Sequence, residues 1–495
     1  MRVKPVTLVA PYKPGSFLEK TLPSLMSSPL IEDVLLLGQE PLPVPPAGCH
    51  ILAAGPLASE ETLRQLLYAV RTEYLLLLPD GRPVELKSGA LGRMLEVAGT
   101  TKAGLVYSDF YDLKEGEKTL HPLIDYQPGS VRDTFDFGPL ILFSMAGLHQ
   151  AARTYGMVEA GVRWAGLYDL RLKVSIEHPV HHVPEPLYAA VATDEDSNEE
   201  RLFAYVDPRN LAYQKEMEAV FTGYLNKIGA YLPPSRLREV GEPQAAFPVE
   251  ASVVIPVRNR RGTIVEAVKS ALSQETTFPF NVVVVDNHSI DGTTALLSDL
   301  GSKYRALTHI VPTRTDLAIG GCWNEALQSD ACGRYVVQLD SDDLYVSPHT
   351  LQRMVDTLRE GRLAMVVGSY TLVDSRLEEI PPGLVDHREW TDENGHNNAL
   401  RINGLGAPRA FYAPLMRSLG FLNVSYGEDY GAALRICREY RIGRIFESLY
   451  LCRRWSGNTD AALSLEEANR NDAFKDGIRT AEILARQQMN KGDDR

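Results

Sequence analysis

Long apolar runs are missing from this chain. No stretch approaches the ~18 consecutive apolar residues that a membrane span requires, so no transmembrane segment is expected. A surplus of basic residues is missing too: Lys and Arg number 51 against 64 Asp and Glu, a formal net charge of -13. A nucleic-acid surface gathers basic side chains on one face, and this balance argues against one. A phosphorylated small molecule is not excluded, because one metal ion reverses the local sign. Cysteine is sparse. Cys49, Cys322, Cys332, Cys437 and Cys452 form no CxxC pair and lie at no zinc spacing to a histidine, so they read as free thiols. The opening Met1-Arg-Val-Lys-Pro5 runs into a strand-like stretch without leader features, and a cytoplasmic protein is the expectation. Peripheral contact with the inner face of a membrane stays open, as does a homo-oligomer.

About five hundred residues is too long for one hydrophobic core, so two or more domains are expected. The chain repeats an order of elements. The apolar strand Val6 to Ala10, a helical stretch from Phe17 to Leu25 and the strand Val34 to Leu37 are answered by Ala251 to Pro256, Thr263 to Gln274 and Val282 to Asp286. Strand, helix, strand is the signature of a parallel α/β unit. Two further pairs follow in the same order: Glu73 to Gly81 with Arg334 to Asp342, and Pro184 to Tyr188 with Phe446 to Tyr450. Three matches at near-constant offset support two tandem copies of one fold. Between them lie an acidic run, Asp194 to Glu200, a helical pattern from Asn210 to Ile228, and a polar, proline-containing linker from Ser235 to Pro248. Beyond about residue 461 a further helix is predicted, opened by Ser464-Leu-Glu-Glu467 at capping-box spacing. Its expected role is structural.

The chemistry concentrates in the second copy, where a strand runs into Asp340-Ser-Asp-Asp343. Carboxylates crowded at the C-terminal end of a strand repel one another unless a cation or hydrogen-bond donors compensate. A divalent ion carried in with a diphosphate would compensate them, and hard oxygen ligands suit Mg²⁺ or Mn²⁺. The competing reading is a solvated, Asp-rich turn.

Residues 252 to about 460 resemble family 2 glycosyltransferases of the GT-A fold. The resemblance is carried by Val254-Ile-Pro-Val-Arg-Asn259, Ser270-Ala-Leu-Ser-Gln274, Val285-Asp-Asn-His-Ser-Ile-Asp-Gly-Thr293, Leu339-Asp-Ser-Asp-Asp343 and Gly427-Glu-Asp429. It implies an α/β fold of two tandem GT-A-like (Rossmann-like, mostly parallel sheet) domains: 1–205 as a degenerate copy, 206–248 as helix and linker, 249–460 as the catalytic domain and 461–495 as a C-terminal helix.

It also implies an inverting, metal-dependent transfer from a nucleotide-sugar donor, UDP-linked by preference, to a glycan, lipid-linked or protein acceptor. Pro256 to Asn259 would border the base and Asp286 would accept from its imide, unless Asp286 makes an Asx turn onto Ser289 or Gly292. Asp340 is expected near the ribose and Asp342 on the metal, with Asp343 assisting. Asn324 would contact the nucleotide sugar or serve as a buried structural asparagine.

The general base is expected at Asp429, with Glu428 beside it, because transfer to a hydroxyl needs a carboxylate within reach of the acceptor oxygen. The alternative is that the pair merely caps a helix. Gly404 to Pro408 resembles the acceptor-side loop. Arg453, Arg454 and Trp455 to Asn458 resemble a loop closing over the diphosphate. No histidine follows His396, so a further metal ligand often present in the family has no counterpart.

The first copy has Pro79-Asp80-Gly81 opposite the acids and Gly166-Leu167 opposite Glu428-Asp429. Asp109 or Asp112 would have to help Asp80 hold an ion. A non-catalytic domain is therefore expected there. A two-site polymerase or a non-catalytic sugar-binding protein are the competing functions.

Overall fold

The computed structural model describes residues 4–16, 18–39, 44–192, 210–243, 246–402, 404–455, 458 and 463–493. The acidic run Asp194 to Glu200 lies outside the described residues, as do Ser456 and Gly457. The chain divides into one unit of Met1–Leu202, Ala212–Tyr231 and Ser464–Arg495 and another of Phe203–Leu211 and Leu232–Leu463.

In the first unit the strands are β1 (Val6–Pro11), β2 (Ile31–Gly38), β3 (His50–Ala53), β4 (Tyr74–Leu77), β5 (Val84–Leu86), β6 (Leu105–Lys114), β7 (Glu117–His121), β8 (Ile141–Ser144) and β9 (Val180–Val191). They order as β3-β2-β1-β4-β8-β6-β9-β5, with β7 on β6. The second unit has β10 (Ala251–Val257), β11 (Phe280–Asp286), β12 (Leu307–Ile310), β13 (Tyr335–Gln338), β14 (Leu344–Tyr345), β15 (Met365–Val373), β16 (Glu379–Val385), β17 (Arg409–Tyr412) and β18 (Ile442–Arg453). Their order is β12-β11-β10-β13-β17-β15-β18-β14, with β16 on β15.

The two orders correspond strand for strand, and so do the pairing senses. The β1, β2, β4 set is parallel like β10, β11, β13, while β8 and β17 each run antiparallel to their neighbours. The fold class is therefore α/β with two mixed, largely parallel sheets. Parallel pairing dominates where the strands are buried on both faces, which is why β10 and β11 read as near-continuous valine and isoleucine. The helix Thr350–Glu360 shows the other period: Leu351, Met354, Val355 and Leu358 face inward at helical spacing.

Registers fix which positions of the two sheets correspond. Val6 pairs with Tyr74 in one and Ala251 with Tyr335 in the other. Counting on from there, Pro79, Gly81 and Arg82 fall at the places of Asp340, Asp342 and Asp343. Helices Gly166–Glu177 and Glu428–Cys437 likewise correspond, which sets Leu167 opposite Asp429.

Two helices complete the first unit. Leu211–Lys227 buries Met217, Phe221, Tyr224 and Leu225, and Glu216 accepts the main-chain N–H groups of Arg163, Trp164 and Ala165. Leu465–Asp493 docks through buried charge. Asp476, fully buried, accepts from Arg132 at 3.2 Å, from Arg479 at 2.7 Å and from the Ser130 hydroxyl at 2.9 Å. Removing one partner of such a set leaves the others charged and desolvated. Asp476→Ala should destabilise the first unit by about 3–5 kcal/mol, read as a lowered unfolding midpoint in urea. An unchanged midpoint would show that the network contributes nothing.

Candidate active site

Three parallel strands, β10, β11 and β13, deliver their C-terminal ends to one edge of the second sheet, where open α/β sheets bind ligands. Val257 pairs with Asp286, and Val254 with Gln338. The loops leaving β10 and β11 are laced together. Asn259, at φ +54°, accepts from the Ile290 N–H at 2.8 Å and gives its own N–H to Ser289 Oγ at 2.9 Å. The Arg260 N–H reaches Thr293 Oγ1 and the Arg261 N–H reaches Asp291, at 2.9 and 3.0 Å. Pro256, half-buried, opens this double loop.

Asp286 sits inside the lacing instead of facing outward. Its Oδ1 accepts from the Ser289 N–H at 3.0 Å, its Oδ2 from the Thr294 hydroxyl at 2.5 Å, and the side chain is fully buried. Burial alone would raise its pKa, but these hydrogen bonds outweigh it and hold the carboxyl below the usual range. Asp286 thus makes the Asx turn onto Ser289 that the sequence allowed, because a carboxylate buried at a strand end takes the nearest donors. Asn324 is likewise engaged with neighbouring main chain. Its amide gives to Phe421 O and receives from Phe421 N, both at 2.9 Å, which ties helix Ile319–Gln328 to the segment after helix Ala413–Leu419. The backbones approach closely here: a Cβ on Gly320 would lie 1.8 Å from Leu422 O.

The acids after β13 divide their partners. Asp340 takes both its oxygens to the Gln338 amide at 3.0 Å, and its N–H donates to the Tyr450 hydroxyl. Asp343 accepts from the Arg453 N–H at 2.7 Å. Asp342 makes all its contacts among the described residues through Oδ2: Trp455 Nε1 at 3.1 Å, Asn458 Nδ2 at 3.4 Å and Arg260 Nε at 3.8 Å. Burial, together with the neighbouring acids, raises the pKa of Asp340 and that of Asp343 further still. Among the described residues no three His, Cys, Asp or Glu side chains converge into a metal-holding group. Arg454 gives its N–H to Val373 O. Arg453 pairs with Glu266 at 2.9 Å.

Glu428 and Asp429 open their helix after Gly427, whose φ of +84° makes the turn that a side chain would strain. Asp429 Oδ2 pairs with Arg409 Nη2 at 2.5 Å, and Oδ1 accepts the Tyr430 N–H at 2.6 Å. Arg409 also gives Nη1 to Gln338 Oε1 at 3.1 Å and Nε to Leu405 O at 2.6 Å. A continuous path therefore runs Asp340, Gln338, Arg409, Asp429. The stretch around Gly406 is held by His387, fully buried, which accepts the Gly406 N–H and faces Glu389.

Sequence reasoning missed Gln338, Arg409, Tyr450 and Thr294. A signal existed for two of them, since Gln338 interrupts the apolar run Tyr335-Val-Val and Arg409 opens an otherwise apolar strand.

In the first unit the acids are spent on other partners. Asp80 pairs with Arg82, Asp109 with His182, Asp112 with His121, and Asp169 with Lys173. They do not gather.

Residues 252–416, within the second unit, match the model described as Glycosyl transferase family 2. The succinoglycan biosynthesis protein ExoO of Rhizobium meliloti (strain 1021) is 36% identical over 107 residues, 22% of this chain and 29% of that protein. The uncharacterized protein Rv1520 of Mycobacterium tuberculosis is 27% identical over 107 residues, 22% of this chain and 31% of that protein. The chain thus spans under a third of the length of the curated relatives it matches. Among solved structures, S. aureus TarS 1-349 in complex with UDP-GlcNAc is 21% identical and aligns over 48% of this chain and 72% of that one, with a TM-score of 0.36. The mannosyltransferase PcManGT from Pyrobaculum calidifontis, in complex with GDP-Man and Mn2+, is 18% identical over 58% and 85%, with a TM-score of 0.34. No described helix is long and apolar enough to cross a membrane.

Glu428 generates a prediction. Its Oε2 is buried with no hydrogen-bond partner, and burial together with Asp429 pushes its pKa up to about 8 from 4.5. Between those two values the folded chain keeps a proton that the unfolded chain has released, so this group lowers stability as pH rises through that window. Glu428→Gln should therefore raise the melting temperature more at pH 8 than at pH 5. An equal effect at both would show that Glu428 titrates normally.

Proposed function

We propose that the second unit moves a sugar from a nucleotide-diphosphate donor, UDP-linked by preference, to an acceptor hydroxyl with inversion. The observation carrying this reading is the path that joins Asp340 to Asp429 through Gln338 and Arg409, beside Asp342, at the C-terminal edge of the sheet. Asp429 serves as the general base, taking the hydroxyl proton as that oxygen attacks the anomeric carbon and the nucleotide diphosphate departs from the opposite face. Its carboxyl group pairs with Arg409 at the N-terminus of its helix. Pro256 and Asn259 border the nucleotide. Asp340 lies on the donor side, and Arg454 is assigned to the closing loop.

The crowded oxygens suit a hard divalent ion, Mn²⁺ or Mg²⁺, held by Asp342 with support from Asp340 and Asp343. Among the described residues no three metal-binding side chains converge, which fits an ion that arrives on a diphosphate and takes most of its ligands there. When bound, such an ion stabilises the charge developing on the leaving group. Without it, two of the three acids have raised pKa values, and a cation would reverse that shift.

The acceptor is assigned to surface glycan or polysaccharide synthesis, in keeping with the likeness to a succinoglycan biosynthesis protein. The first unit is assigned a non-catalytic role in acceptor binding or assembly. Pro79, Gly81, Arg82 and Leu167 stand where the acids and base would be, and this also argues against a two-site polymerase.

The test is nucleotide release from UDP-, GDP- and dTDP-sugars with Mn²⁺ or Mg²⁺. Asp429→Asn should lower kcat by about 10²–10⁴-fold while leaving nucleotide binding in place. Asp342→Ala should abolish the metal-dependent part of binding. Metal-dependent turnover that survives Asp429→Asn would overturn the base assignment.

A further inference from the structure

The base and the donor-side acid belong to different elements, yet one guanidinium spans the space between them. Arg409 enters at the first position of β17, antiparallel to β13, and its planar fork makes three directed contacts: Nη1 to Gln338 Oε1 at 3.1 Å, Nη2 to Asp429 Oδ2 at 2.5 Å and Nε to Leu405 O at 2.6 Å. Gln338 spends its other end on both oxygens of Asp340. The Arg409 side chain is only 13% exposed. In that setting a rigid fork fixes direction as well as charge, which a flexible ammonium cannot do equally.

The first unit supplies an internal comparison. Its sheet has the same strand order, and its corresponding positions are Pro79 for Asp340, Leu77 for Gln338, Ile141 for Arg409 and Leu167 for Asp429. All four members of the path are apolar there. A polar path replaced as a whole behaves as one device. Were Arg409 only a structural ion-pair partner, nothing would require Gln338 to change with it.

We infer that Arg409, seated by Gln338, is a positioning residue that aims the Asp429 carboxylate and locks it in register with the donor-side acid. This rests on the reading of Asp429 as the base. Gln338 carries information one way: its amide orients Asp340 while its carbonyl orients Arg409. The Leu405 carbonyl ties the same guanidinium to the acceptor-side loop. Donor acid, base and acceptor loop are thereby held by a single side chain.

The experiment uses the full-length chain and four variants: Arg409→Gln, Arg409→Lys, Gln338→Leu and Asp429→Asn. Calorimetry measures the affinity for UDP with Mn²⁺, and steady-state nucleotide release from UDP-glucose, UDP-N-acetylglucosamine and GDP-mannose gives kcat and KM separately. Arg409→Gln should lower kcat by on the order of 10²-fold, with the donor KM and the UDP affinity changed less than about threefold. Arg409→Lys should recover roughly a tenth of the wild-type rate, since it restores the charge but not the fork. Gln338→Leu should fall between them.

A thermal double-mutant cycle of Arg409→Gln with Asp429→Asn reads the pair without turnover, and non-additive shifts are expected. If Arg409→Gln leaves kcat intact while Asp429→Asn abolishes it, the inference falls and the base assignment stands. If UDP affinity falls as far as kcat, Arg409 is a binding or structural residue and the inference also falls. If Asp429→Asn retains full activity, the base assignment fails and the inference goes with it. Additive shifts in the thermal cycle would overturn it as well.

Discussion

The architecture of the second unit depends on one electrostatic difficulty, the crowding of Asp340, Asp342 and Asp343 where β13 ends. Three carboxylates within four residues, two of them deeply buried, repel one another and lose hydration together. The surroundings answer with donors that are each specific to one acid: the Gln338 amide for Asp340, Trp455 and Asn458 for Asp342, and the Arg453 N–H for Asp343. Apart from Gln338 these donors come from the end of β18 and the segment just after it, so the acids cannot be satisfied until that stretch has packed. Fold and site are closed by the same contacts.

Buried polar groups cost stability unless every member of their network is satisfied. Most of this site meets that condition and Glu428 does not, having a buried oxygen without a partner. The raised pKa is how the protein tolerates it, because a protonated carboxyl escapes most of the desolvation cost. It also separates the two neighbouring acids in role. Asp429 has the guanidinium, and Glu428, denied one, tends to hold a proton.

The repeated α/β order was readable because parallel strands buried on both faces leave valine-rich runs that no other element mimics at that length. The acids and the Glu428-Asp429 pair were readable because their spacing is local. What could not be read is where side chains point. Asp286 lies at the expected strand end yet turns into its own loop, and Asn324 lies at the expected helix start yet faces Phe421. In both cases the side chain takes the nearest main-chain donor. The Gln338–Arg409 contact joins residues 71 positions apart. Only the antiparallel insertion of β17 beside β13 brings them together, and periodicity carries no information about that pairing.

The first unit shows what the same topology does without the difficulty. With Pro79, Leu77, Ile141 and Leu167 along the corresponding path there is no crowding to resolve, and the remaining acids are free to pair elsewhere. Burial alone would lower the pKa of His121, but Asp112 and Asp136 outweigh it and lift the value to about 9. His182 lies between Asp109 and Asp125 at 2.8 Å from each. In these arrangements one histidine is shared by two acids, whereas the acids after β13 in the second unit each take separate donors, neutral except for Arg260 beside Asp342. The strand order permits either outcome. The side chains at the end of β13, the start of β17 and the first turn of the helix at Glu428 decide which one a given copy adopts.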